Sequence, residues 1–134
     1  MNTIIRKVEK EHPDETVLKQ AGEILKSGGL VAFPTETVYG LGGDGLNARS
    51  SEKIYAAKGR PSDNPLIIHI SDMESLDRIV SYVPEKARKL AEKYWPGPLT
   101  MIFQKSEEVP LETTGGLDSV AVRMPSHETA RMLI

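Results

Sequence analysis

Two cations, Lys58 and Arg60, flank Gly59 and are followed by Pro61-Ser62-Asp63-Asn64-Pro65. A lysine supplies a point charge and an arginine a planar fork, a combination suited to a polyphosphate. Asn64 precedes a proline, which biases it toward extended backbone from which its amide could meet a base or ribose. The plainer account is that cations at a helix C-terminus favour its dipole and that proline loops only connect. A second grouping, Pro34-Thr35-Glu36-Thr37, places two hydroxyls and a carboxylate directly after a short apolar run. Ligands of open α/β sheets gather at the carboxyl ends of strands. Pro, Thr and Glu are also ordinary turn residues.

His69 and Arg123 lie in two runs of strand character. In the first, Leu66, Ile68 and Ile70 share one face and Ile67 and His69 the other. In the second, Val120 and Val122 oppose Ala121 and Arg123. If both strands are covered on both faces, an imidazole and a guanidinium enter the interior or a cleft, where each needs a partner. For His69 the alternatives are a bond to a loop carbonyl and a contact to a ligand. For Arg123 they are a salt bridge to an Asp or Glu and a grip on a substrate carboxylate. His12 and His127 sit among polar residues and read as solvent-exposed, and Trp95, before Pro96-Gly97-Pro98, reads as packing.

Several chemistries are excluded. Gly40-x-Gly42-x-x-Gly45 matches the dinucleotide fingerprint by letter, but no convincing helix opens inside it and a proline stands where the acidic residue should be. No glycine-lysine-serine/threonine triplet occurs, so there is no Walker A loop. The absence of cysteine removes thiolate nucleophiles, disulfides and Cys-based zinc sites. No spacing of histidines or carboxylates suggests a dedicated metal cage. A net charge of −2 gives no global field toward nucleic acid. The N-terminal residues lack an apolar signal region, and charges break every apolar run short of a membrane span. The expectation is a soluble, cytoplasmic protein.

The elements that must position these groups read as a single α/β domain over 134 residues, a length that buries about 65–70% of the unfolded surface. Thr3–Val8 reads as a short strand. Val17, Leu18, Ala21, Ile24 and Leu25 share one helical face, with Gly28-Gly29 as the stop. Leu30–Phe33 reads as a buried strand, and Thr35–Gly45 as a glycine-rich loop. A helix follows from a cap at Ser50 or Ser51 to Lys58, with Gly59 just past its end. After the Leu66–Ile70 strand, Ser71-Asp72-Met73-Glu74 opens a helix running to about Val80. Pro84 starts another, with Ala87, Leu90, Ala91 and Tyr94 on one face. Leu99–Gln104 and Ser119–Met124 are further strands with no helix between them, so the expected sheet is mixed. Ser126 would cap a last helix.

Taken in order, residues 29–41 (GLVAFPTETVYGL), 58–66 (KGRPSDNPL), 95–100 (WPGPLT) and 122–125 (VRMP) resemble the YrdC-type threonylcarbamoyl-AMP synthases. The resemblance implies a twisted mixed sheet with helices packed on it. It implies synthesis of threonylcarbamoyl-AMP and pyrophosphate from L-threonine, bicarbonate or CO2, and ATP with Mg2+. Partner proteins would then pass the threonylcarbamoyl group to adenosine 37 of tRNA. By similarity Lys58 and Arg60 hold the ATP phosphates as the catalytic pair, and Asn64 and Ser119 also contact ATP. Thr37, His69 and Arg123 form the threonine pocket, with Thr35 close by. Attack of a carbamate oxygen on the α-phosphate needs charge neutralisation and in-line positioning rather than a protein nucleophile. The one Ser-x-Asn triplet, Ser62-Asp63-Asn64, falls in the cationic loop rather than late in the domain where the family carries this signature, and an apolar stripe is still developing at Ile134. Residues 1–134 are therefore expected to be the N-terminal part of a longer YrdC-type domain and to bind ATP poorly alone. The other classes consistent with these features are a non-catalytic double-stranded RNA or tRNA-binding module and a carbamoyl-transfer domain of the hydrogenase-maturation type.

Overall fold

The computed structural model describes residues 2–134. The elements are α1 (Glu15–Lys26), β1 (Val31–Phe33), β2 (Gly40–Gly42), α2 (Ala48–Lys58), β3 (Ile67–His69), α3 (Met73–Ile79), α4 (Glu85–Tyr94), β4 (Thr100–Gln104), β5 (Ser119–Arg123) and α5 (Glu128–Leu133).

The alternation in β5 organises the molecule. Val120 and Val122 are 1% and 0% exposed, whereas Ser119, Ala121 and Arg123 are half-buried. β5 is the central strand of a three-stranded mixed sheet of order β3-β5-β4, parallel to β3 and antiparallel to β4. The valine face joins Ile68, Ile70 and Phe103 in a core closed by Leu76 and Ile79 of α3, Ala91 of α4, and Trp95. Trp95 packs there as its sequence context implied, its indole N–H donating to the Leu99 carbonyl at 2.7 Å. The opposite face is open, and on it Ile67 and Ile102 are 47% and 73% exposed. The expected mixed sheet is thus present, but two of its strands are covered on one face only.

A second, smaller core lies between α1, α5 and the β1–β2 ribbon, where Leu18, Phe33, Ala130 and Leu133 are buried together. Asp14 caps α1 by accepting from the Thr16 and Val17 backbone amides. Gly28, at φ +84°, ends it in the left-handed region that glycine adopts without strain.

The antiparallel pairing of β1 with β2 sets Phe33 against Gly40. A Cβ on Gly42 would sit 2.6 Å from the Phe33 ring. Gly40 and Gly42 of the rejected fingerprint therefore make room for an aromatic ring, not for a pyrophosphate. β2 was not expected, because Gly-Leu-Gly carries almost no strand propensity. β1 is also less buried than its composition suggests, with Ala32 exposed.

Other expectations are corrected. Thr3–Val8 forms no strand: its residues have no regular structure and are mostly exposed. α2 begins at Ala48 with Asn47 as cap. Ser50 and Ser51 lie inside the helix, 0% and 1% exposed, because that face packs inward and Ser51 Oγ meets Thr113 Oγ1 at 2.7 Å. Asp72, rather than Ser71, caps α3 by accepting from Ser75 N. On α4 only Ala91 is buried; Leu90 and Tyr94 are exposed. α5 starts after His127 without a side-chain cap, since Ser126 is engaged elsewhere.

Candidate functional site

The open face of the sheet brings the candidate groups into order. In the parallel register His69 is the partner of Arg123, and in the antiparallel register Thr100 is its partner on the other side. The imidazole and the guanidinium therefore share a face, at the carboxyl ends of β3 and β5. Ser119 lies on the same face four residues back, about 13 Å at the strand rise of about 3.3 Å per residue.

At the Arg123 end, the loop after β1 closes over the sheet. Thr35 Oγ1 organises that loop: it lies 3.1 Å from Thr37 Oγ1, donates to the Val38 carbonyl at 2.6 Å, and accepts from the Thr37 and Val38 amides. Arg123 Nη1 donates to Thr37 Oγ1 at 3.4 Å and Nε to the Gly97 carbonyl at 3.2 Å. Its Nη2 forms an ion pair with Glu36 Oε1, the two side chains being 11% and 22% exposed. Burial lowers the guanidinium below its ordinary pKa, from a value so high that it remains a cation. The salt-bridge alternative for Arg123 is thus present, and Thr37, His69 and Arg123 also converge as one cluster.

His69 is held edge-on against the Phe33 ring, with centroids 6.1 Å apart, and its Nδ1 lies 3.3 Å from the Ile67 carbonyl oxygen. Burial depresses its pKa below 6.5, and the carbonyl acts more weakly in the opposite sense. The folded state therefore favours neutral imidazole, while the unfolded chain takes up a proton as pH falls through the ordinary value. The stabilisation this gives is complete above pH 6.5 and is lost as pH falls toward the folded pKa. Unfolding free energy measured by denaturant at about pH 8 and about pH 5 should fall, and fall less in His69→Asn. An equal fall in both proteins would remove His69 as the cause.

The other end is built on α2. Gly59 ends this helix at φ 60°, and Arg60 turns back so that Nη2 donates to the Asn64 and Pro65 carbonyls at 3.2 and 3.1 Å. The guanidinium lies 6.0 Å from the Tyr55 ring centroid, and its buried Nε has no hydrogen-bond partner among the described residues. A buried donor without a partner is costly and rare. Lys58 and Asn64 are exposed.

This loop is pinned to the one before β5. Leu66 N donates to the Thr113 carbonyl at 3.0 Å, and Thr113 Oγ1 donates to Gly45 O at 2.7 Å. Gly115, at φ +63°, approaches the Asp63 carbonyl so closely that a Cβ would sit 2.9 Å from it. Lys58, Arg60 and Asn64 thus precede β3 while Ser119 opens β5, all at the amino ends of these two parallel strands.

Glu36 was visible in the sequence but not assigned a role. The signal that could have found it is the need of a half-buried Arg123 for an anion, with one carboxylate available in the Thr35–Thr37 turn. His127, expected in solvent, is half-buried beside it, and its amide donates to Glu36 Oε2 at 3.2 Å. Among the described residues, no group of three or more His, Asp or Glu could hold a metal ion. No helix among them is long and apolar enough to cross a membrane.

The half-open mixed α/β sheet thus carries an arginine-histidine-threonine cluster at one end and a cationic loop toward the other. Residues 23–134 match the Sua5/YciO/YrdC family, described as "Telomere recombination", and the chain belongs to it. It is 53% identical over 132 residues to a threonylcarbamoyl-AMP synthase of Pyrococcus abyssi, covering 98% of this chain and 38% of that protein. It is 49% identical over 118 residues to the Bacillus subtilis threonylcarbamoyl-AMP synthase, covering 87% of this chain and 34% of that one. A crystal structure of P. abyssi Sua5 complexed with L-threonine superposes with a TM-score of 0.95 at 53% identity, covering 98% of this chain and 38% of that one. The chain therefore spans little more than a third of the length of these relatives.

Proposed function

We propose that this chain supplies the ATP- and threonine-binding face of an L-threonylcarbamoyl-AMP synthase. The observation that carries this reading is the two-ended open face: the Arg123 cluster at one end of β5 and the cationic loop toward the other, with Ser119 and Arg123 about 13 Å apart along the strand. The names of the relatives support it.

In this reading Arg123 holds the carboxylate of L-threonine, and Thr37 and His69 meet its hydroxyl and amino groups, with Thr35 shaping the loop. Lys58 and Arg60 neutralise the phosphates of ATP, which arrives with its own Mg2+, while Asn64 and Ser119 contact the nucleoside. The threonine amino nitrogen bonds to the carbon of bicarbonate and a water molecule leaves, giving a carbamate. One carbamate oxygen attacks the α-phosphate, the α–β bridging bond breaks, and pyrophosphate leaves with the negative charge. The residues at both ends contribute by fixing the line of attack rather than by covalent chemistry. The product is an activated carbamoyl group, which downstream proteins in the cytoplasm would pass to adenosine 37 of tRNA.

The test is pyrophosphate release by the natural protein carrying these residues. Release is expected only when ATP, L-threonine and bicarbonate are all present, and L-serine should support it poorly. Serine keeps the hydroxyl and lacks one methyl group, a difference worth roughly 10–200-fold in a fitted apolar pocket. Equal release with serine, or without bicarbonate, would reject the reading.

A further inference from the structure

Glu36 is tied to three residues of one segment distant in sequence, Arg123, Ser126 and His127. Its Oε1 faces Arg123 Nη2. Its Oε2 accepts from the Ser126 amide, the Ser126 hydroxyl and the His127 amide. Both carboxylate oxygens are therefore occupied by donors from the end of β5 and the start of α5, although the residue itself stands in the exposed loop after β1.

The Arg123 guanidinium is held by three residues from two segments: Gly97 takes Nε, Thr37 takes Nη1 and Glu36 takes Nη2. A guanidinium has five N–H donors. Nη2 is buried and makes no hydrogen bond beyond its ion pair with Glu36. A carboxylate takes two donors of a planar guanidinium for a two-point grip. A guanidinium on a flexible side chain loses rotamer freedom when it makes such a grip, whereas one already braced does not.

We propose that Glu36 is a positioning residue: it braces Arg123 for an incoming carboxylate and locks the Thr35–Tyr39 loop onto α5, so that the pocket exists before its ligand arrives. The proposal rests on the threonine reading for the identity of the carboxylate. The brace itself does not depend on that reading. Glutamine cannot replace it, because the amide half would present N–H donors to groups that are themselves donors.

The experiment has two arms, both on this chain. In the ligand-free arm, the Arg123 Nε–H resonance is followed by NMR in the wild type and in Glu36→Gln. It should be sharp and slow to exchange in the wild type, and should lose that protection in the variant. In the ligand arm, dissociation constants are measured for L-threonine and for L-threoninol, which lacks the carboxylate. Glu36→Gln should weaken threonine by about ten- to a hundredfold, leave threoninol within about twofold, and leave ATP affinity unchanged. A purely structural role would weaken all three ligands together.

If Glu36→Gln fails to fold, Ser126→Ala removes one donor from Oε2 without touching Arg123 and should act in the same direction by a few-fold. Unchanged Arg123 protection in the variant would overturn the brace, as would an equal loss for threonine and threoninol. Tighter threonine binding would also overturn it, by showing that Glu36 competes for the site. A wild type that shows the protected Arg123 signal but does not bind threonine would refute the functional reading and leave the brace standing.

Discussion

Arg123→Lys is expected to reduce the affinity of this chain for L-threonine by about 2–5 kcal/mol, roughly thirtyfold or more. The substitution keeps the charge, so electrostatics alone predicts little change. The loss comes from geometry. Arg123 reaches Gly97 O, Thr37 Oγ1 and Glu36 through three separate nitrogens. A lysine brings one nitrogen, which cannot satisfy these partners and offer a planar pair to a carboxylate as well. It would leave Glu36 with an unpaired, partly buried charge. Calorimetric titration with threonine in the absence of nucleotide reads the effect, with the melting midpoint followed to exclude unfolding. Affinity within threefold of the wild type would assign Arg123 to the fold alone.

Arg60→Ala is expected to weaken ATP binding by a similar amount, about 2–5 kcal/mol, and Lys58→Ala by less. The difference follows from their surroundings. Lys58 is exposed, and a solvated ammonium gains little from a phosphate that water also stabilises. Arg60 is half-buried over Tyr55, with Nη2 committed to two carbonyls and a buried Nε without a partner among the described residues. Removing it takes away the ligand contact and frees the Asn64–Pro65 backbone that it holds. Threonine affinity measured without nucleotide should be unaffected, because that cluster lies at the far end of β5. Nucleotide titration with threonine as the internal control decides the matter. Unchanged ATP affinity would return Arg60 to closing the end of α2, and a parallel loss of threonine binding would indicate general damage to the sheet.

What could be read from the residues follows their physical determinants. Period-two alternation located β5 and β3 and placed His69 and Arg123 on one face, because a sheet covered on one side must sort its side chains. The helical stripe from Val17 to Leu25 located α1 for the same reason. β2 was missed because it is specified from outside: Gly40 and Gly42 are strand residues only in the presence of the Phe33 ring. The cap of α2 was misplaced because Ser50 and Ser51 are good capping types, and sequence does not show that Thr113 waits inside the fold to bond Ser51. The two accounts of Arg123 could not be separated, since nothing local reveals that Glu36 will arrive from eighty-seven positions away. Local chemistry was legible, and closure between distant segments was not.

β5 carries one half-buried residue of the phosphate-side cluster and one of the amino-acid-side cluster on the same short strand, with core valines interleaved between them. Under the proposed function, the spacing of the two ligands is thereby written into the covalent backbone, like the graduations of a ruler, and no hinge lies between the marks. Such a device has no tolerance for slippage. A single residue inserted or deleted within Ser119–Arg123 would turn the valines outward and drive the arginine into the hydrocarbon interior. Both binding ends and the core would fail in one step. Changes of ligand preference in this fold have to come from the loops around the strand, since the strand itself offers no gradual path.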